Sequence, residues 1–154
     1  MKNVFQDGLT YALALLARIA TPTLKRQLSR LSLLIVSDVP RLGTTWTASF
    51  QDPIGPGEIR VNAVDASFHQ FGRYLWGTGH IQGEPGDPFE FRGLVRRNVF
   101  YGAFHRKDAH VLAGTGTFVL KIDADSRKMA GYCTWFDSIL DDVWHSEYVW
   151  TRKG

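Results

Sequence analysis

Residues 114–123 read Gly114-Thr115-Gly116-Thr117-Phe118-Val119-Leu120-Lys121-Ile122-Asp123. Gly114, Gly116, Phe118, Leu120 and Ile122 occupy one set of alternate positions, and Thr115, Thr117, Val119, Lys121 and Asp123 the other. A period of two marks an extended strand with one buried face, since successive side chains of a strand point to opposite sides. The first set is assigned inward. The same alternation recurs on both sides of this stretch, in Phe89, Phe91, Gly93 and Val95, in Phe100, Gly102 and Phe104, and in Met129, Gly131, Cys133 and Trp135. Glycines among inward positions predict strongly bent strands whose backbones approach closely, as where a small barrel turns its corners.

Working outward, short β-branched and aromatic runs are separated by Gly, Pro, Asp and Asn throughout the chain after Pro40. They predict eight strands, at roughly 42–50, 57–68, 71–83, 88–96, 98–106, 112–123, 128–138 and 143–152. The breaks carry turn chemistry: Asp52-Pro53 with Gly55-Pro56-Gly57, the run from Gly83 to Pro88, Arg106-Lys107-Asp108, Asp123 to Ser126, and Asp141-Asp142. Tight connections pair neighbours antiparallel. The expected fold is all-β, an eight-stranded antiparallel up-and-down barrel, which leaves no exposed sheet edge; a two-sheet sandwich is the alternative.

Before Pro40 the texture differs. Val4, Phe5, Leu9, Leu13, Leu16, Ala17, Ala20, Leu24 and Leu28 recur mostly at spacings of three and four, the period of an amphipathic helix. Pro22 ends or kinks that helix, and a second short one is expected from Pro22 to Arg30 with Thr21 as its cap. The chain thus divides into an N-terminal helical segment, 1–39, and a barrel domain, 40–154. The apolar run from Leu9 to Ala20 contains Arg18 and is too short to span a bilayer, so any membrane association through this helix is along the surface.

The whole chain has 154 residues, 44% hydrophobic and 21% charged, the balance of one soluble domain. The single Cys133 excludes a disulfide-stapled scaffold and a cysteine-based zinc site and favours a cytoplasmic setting. A net charge of +3 attracts small anions but falls short of a footprint for duplex nucleic acid.

Two resemblances follow from residue patterns. Leu42-Gly43-Thr44-Thr45-Trp46 opens the β segment, and Tyr148, Trp150 and Arg152 alternate on its last strand. This resembles the calycin barrels, the lipocalin and fatty-acid-binding group, in which a Gly and a Trp on the first strand pack near an Arg on the last. The resemblance implies that Gly43, Trp46, Trp150 and Arg152 close one barrel end, with an Arg–Trp cation–π contact. The longer series Trp76-Gly77-x-Gly79, Phe89-x-Phe91-x-Gly93, Gly102-x-Phe104, Gly114-x-Gly116-x-Phe118, Gly131-x-x-x-Trp135 and Tyr148-x-Trp150-x-Arg152 resembles the β-barrel sensor domains of bacterial antiphage effectors of the CBASS type. In that family the barrel follows N-terminal membrane helices, and a cyclic-nucleotide second messenger drives assembly. The resemblance implies a nucleotide-type ligand and antiviral defence.

Candidate chemistry is sparse. His69, His80, His105, His110 and His145 lie on five different elements and make no metal-ligand spacing, so no metal or other cofactor is expected. Asp137, Asp141, Asp142 and Glu147 form an acidic cluster near the last turn, where aspartates are ordinary turn formers. No nucleophile stands beside a recognisable base, so no catalytic residue is assigned. Arginines offer forked donors to phosphate and aromatic faces stack on bases, which makes Arg73, Arg97, Tyr74, Trp76, Tyr101 and His105 the candidate ligand-binding set. Arg73 and Arg97 continue the inward alternation of Leu75 and Val95. The surplus of aromatic residues leaves rings for the outer wall, under the N-terminal helix or at a contact between copies in a homo-oligomer.

The expectation is a non-enzymatic barrel that binds a small molecule, a cyclic nucleotide or similar messenger. The competing expectations are a carrier of an apolar ligand such as a fatty acid and a calycin-like isomerase or cyclase.

Overall fold

The computed structural model describes residues 39–154 apart from 56, 85, 87, 107–113 and 138–140. The helical segment expected over 1–39 lies outside the described residues except for Val39. Among the described residues no helix is long and apolar enough to cross a membrane.

Eight strands follow one another: β1 (Thr45–Gly55), β2 (Glu58–Phe71), β3 (Tyr74–Ile81), β4 (Phe89–Arg96), β5 (Val99–Arg106), β6 (Thr115–Ile122), β7 (Lys128–Asp137) and β8 (Asp142–Arg152). Each pairs antiparallel with the next, and β8 pairs with β1, so the sheet closes into a barrel and the sandwich is excluded. One boundary differs from the sequence reading. Asp52-Pro53 belongs to β1 rather than to a turn, because the register shifts between Pro53 and Gly55, where a residue without an N–H is tolerated.

The pleat sets the interior. Phe118, Leu120 and Ile122 of β6 are buried, as are Phe89, Phe91 and Val95 of β4, Phe100 and Phe104 of β5, and Met129 and Cys133 of β7. These inward residues form one core cluster with Trp46, Phe68, Leu75 and Trp150. Gly93 and Gly102 stand opposite each other on β4 and β5. A Cβ on Gly102 would collide with the backbone of Arg92 and Gly93, so the two strands approach more closely than side chains permit.

The two ends differ in how they finish. At the end that holds the Gly72-Arg73 and Arg97-Asn98 turns, the entering chain from Val39 to Gly43 lies across the barrel, with Leu42 fully buried. Gln70 anchors it. Its Oε1 accepts hydrogen bonds from the N–H groups of Leu42 (2.7 Å) and Gly43 (3.2 Å), and its Nε2 donates to the carbonyls of Pro40 (2.8 Å) and Gly72 (3.0 Å). Trp46 Nε1 donates to the Leu42 carbonyl at 2.9 Å. Buried polar groups satisfied in this way fix the plug, because each would cost about 1–3 kcal/mol if left unpaired.

Candidate functional site

Among the described residues, no segment crosses the opposite end. A cavity of about 270 Å³ opens there between the inward faces of the strands. Its walls are aromatic: Phe50, Phe89, Phe91, Phe104, Trp135 and Tyr148, with Cys133 and Val64 also lining it. Phe50 meets Trp135 edge to face at 5.8 Å, and Phe89 meets Phe104 at 5.8 Å. Beyond the cavity lies Trp150, which packs against Phe91 at 5.4 Å and Tyr148 at 5.1 Å; its buried Nε1 has no hydrogen-bond partner.

Toward solvent the inward positions change character. The alternation that places Ala48 and Phe50 inside brings Asp52 inside on β1; in the same way it brings Arg60 on β2, Arg106 on β5 and Asp137 on β7. Glu84, from the connection between β3 and β4, completes the rim. Arg60 reaches Glu84 at 2.9 Å and Asp52 at 3.6 Å, while Arg106 reaches Glu84 at 3.4 Å. The Arg106 guanidinium carbon also lies 4.9 Å from the centre of the Phe89 ring, a cation–π contact, and its buried Nε has no hydrogen-bond partner.

Electrostatics follow from this half-buried setting. Burial pushes the Asp52 carboxyl above the usual aspartate value, Arg60 opposes that shift, and the neighbouring Asp137 adds to it. Burial also pushes the Cys133 thiol up to about 12 and the Tyr148 hydroxyl well above its ordinary value, so both stay protonated at neutral pH. Neither is poised as a nucleophile. Among the described residues no group of three His, Cys, Asp or Glu side chains is close enough to hold a metal ion.

The residues singled out in the sequence are placed elsewhere. Arg97 is exposed and does not continue the inward alternation, whereas Arg73 is half-buried with its Nε enclosed. Each sits in a two-residue turn at the plugged end, and the turn breaks the period of two before it reaches them. Arg97 takes a φ of 57° and is exposed. Tyr74 and Trp76 stack at 5.4 Å on the outer wall, with His69 5.8 Å from Trp76. Tyr101 joins this wall through the register row Tyr74–Leu94–Tyr101, and His105 stands 3.6 Å from Glu90 beside it. A shallow outer groove of about 300 Å³ runs past His69, Trp76, Glu90 and Arg92. The structure therefore gathers the four ring-bearing candidates on one outer face and leaves the two arginines at the plugged end.

Of the end-closing set, Trp46 and Trp150 are buried in the core, Gly43 is bound to Gln70, and Arg152 is exposed opposite Trp46 in register. Asp141 lies in the exposed β7–β8 connection and Asp142 opens β8, where its Oδ1 accepts the N–H of Val143 at 2.6 Å. His110 lies outside the described residues.

Arg106 and Asp137 were within reach of the sequence pattern. Extending the inward series Phe100, Gly102, Phe104 by one step gives Arg106, and extending Cys133, Trp135 by one step gives Asp137. Glu84 had no such signal, because a loop residue has no period. Among the described residues, the fold and site together define a closed eight-stranded antiparallel barrel plugged at one end, with an aromatic cavity toward the other. The chain matches no family model, and no match is found among curated proteins.

Proposed function

We propose that this chain is a non-enzymatic binding barrel that takes one flat ring system of a small ligand into its open end and holds the ligand's polar or anionic end at Arg60 and Arg106. The observation that carries this reading is the cavity itself. Its walls are aromatic, its mouth holds two arginines, and its volume of about 270 Å³ lies just below the roughly 300–1,000 Å³ of pockets that enclose drug-sized ligands. One ring system suits that space, and a long acyl chain does not. A nucleotide-type messenger is the version that the likeness to antiphage sensor barrels supports: the base enters between Phe50, Phe104 and Trp135, and the phosphate displaces Glu84 from the two arginines.

The test is a thermal-shift screen of the full chain against cyclic di- and trinucleotides, mononucleotides, free bases and fatty acids at one fixed salt concentration, repeated with Arg60→Gln and Arg106→Gln. Ligand that binds only the folded state raises its stability by RT ln(1 + [L]/Kd), about 2.7 kcal/mol at a hundredfold excess over Kd. A nucleotide shift that both substitutions reduce supports the reading. A shift with fatty acids alone makes the protein a carrier, and no shift with any compound removes the binding reading.

A further inference from the structure

The two ends of the barrel carry opposite charge. The turns and strand ends of the plugged end hold Arg73, Arg97, Arg127, Lys128, Arg152 and Lys153, and Arg96 and Lys121 stand one step inside. Apart from Arg73, all of these are exposed. The acidic groups facing these cations among the described residues are Asp65, which holds Lys153 at 2.8 Å, and Asp123 and Asp125, whose side chains accept the backbone N–H of Arg127 and so serve their own turn. Around the open end stand Asp52, Glu58, Glu84, Asp137, Asp141 and Asp142, against Arg60 and Arg106. Glu58, Asp141 and Asp142 are exposed on the outermost rung. Among the described residues, charge is thus sorted by end rather than scattered.

We propose that the plugged end of one copy seats on the open end of the next, a head-to-tail contact between copies of this chain held by Arg96, Arg97, Lys121 and Arg152 on one side and by Glu58, Asp141 and Asp142 on the other. Two observations point to a second copy as the occupant. The complementary surface lies on the same molecule, so every copy carries both halves of the contact. Two of the turns at the basic end have only two residues, Gly72-Arg73 and Arg97-Asn98, and Arg97 is exposed in the second with a positive φ. A contact between different surfaces of identical copies is heterologous and propagates into a ring or a filament. The inference does not depend on what the cavity binds.

The test is sedimentation velocity of the full chain without ligand at about 0.01 M and about 1 M salt, between which the Debye length falls from about 30 Å to about 3 Å. Dimers and larger species at low salt that dissolve into monomer at high salt are expected. Arg97→Glu with Lys121→Glu stays monomeric at low salt, and so does Glu58→Lys with Asp142→Lys. Mixing the two doubly substituted proteins restores association, because each then presents the end that the other lacks. Those four positions are exposed, and circular dichroism confirms that the variants keep the fold. Monomer at both salts, association that salt does not weaken, or variants that associate as the parent does would each overturn the proposal. A basic end that instead captures anionic vesicles or RNA while the protein stays monomeric assigns that surface to another partner and also overturns it.

Discussion

At one end of the barrel Phe68, Phe100 and Trp150 meet ring against ring beside the buried Trp46, Phe68 lying 5.7 Å from Phe100 and 5.2 Å from Trp150. At the other end Phe50, Phe104 and Trp135 face a void of about 270 Å³. Both regions arise from one alternation on the same eight strands, so the difference is not in the fold. Among the described residues it lies in what crosses the end. Val39 to Gly43 lies over the first and is pinned by Gln70, whereas the second is bordered by charged side chains on the last inward rung. Aromatic area stabilises the fold where it meets other side chains and is left for a ligand where it does not.

The largest expected effect separates the two ends by mutation. Trp150→Ala empties a fully enclosed site and is expected to cost about 3–5 kcal/mol, whereas Phe104→Ala widens an existing cavity and is expected to cost clearly less than Trp150→Ala. Urea unfolding of both variants checks this. Equal losses would mean that the open end is as much a structural core as the plugged one.

A smaller effect tests the plug. Gln70→Leu retains bulk but strips partners from the N–H groups of Leu42 and Gly43 and from the carbonyls of Pro40 and Gly72, at an expected cost of about 3 kcal/mol. Amide hydrogen exchange localises the loss, with faster exchange expected at Leu42 and unchanged exchange at Cys133. Uniform acceleration across the barrel would show that the plug is not a separate device.

The smallest effect is a pH dependence at the open end. Burial raises the Asp52 carboxyl, with Arg60 opposing and Asp137 adding, so the native state holds that proton more tightly than the unfolded chain does. The sign follows: Asp52 costs no stability at pH values below the ordinary aspartate value of about 3.9, and its cost grows as pH rises through the raised folded value. Asp52→Asn should therefore gain melting temperature relative to the parent as pH rises from about 3 to about 7, with the advantage absent at the acid end. A constant difference at every pH would show that the carboxyl is not the source.

The barrel was legible because its evidence is repeated. Gly116-x-Phe118-x-Leu120-x-Ile122 assigns one strand, and the same period in β4, β5 and β7 assigns their inward faces, so an error at one position is corrected by its neighbours. The site was less legible because it stands where repetition stops. Arg73 and Arg97 were carried inward by a period that a two-residue turn had already ended, while Arg106 lay one step beyond the last residue counted inward. Arg60 was visible only as one of several arginines, and its partner Glu84 comes from a connection whose course depends on the strands it joins. Whether the barrel was hollow could not be read at all, because that depends on how residues far apart in sequence, such as Phe50 and Trp135, come to face each other.

The most direct test of the open end as the binding end is two-dimensional NMR of the full chain titrated with the compound that gives the largest thermal shift. Amide shifts concentrated at Phe104, Arg106, Cys133 and Tyr148, with Gln70, Arg97 and Leu120 unmoved, are the predicted result. Shifts centred instead on Arg97 and the plugged end, or on Trp76 and Tyr101 of the outer wall, would contradict it.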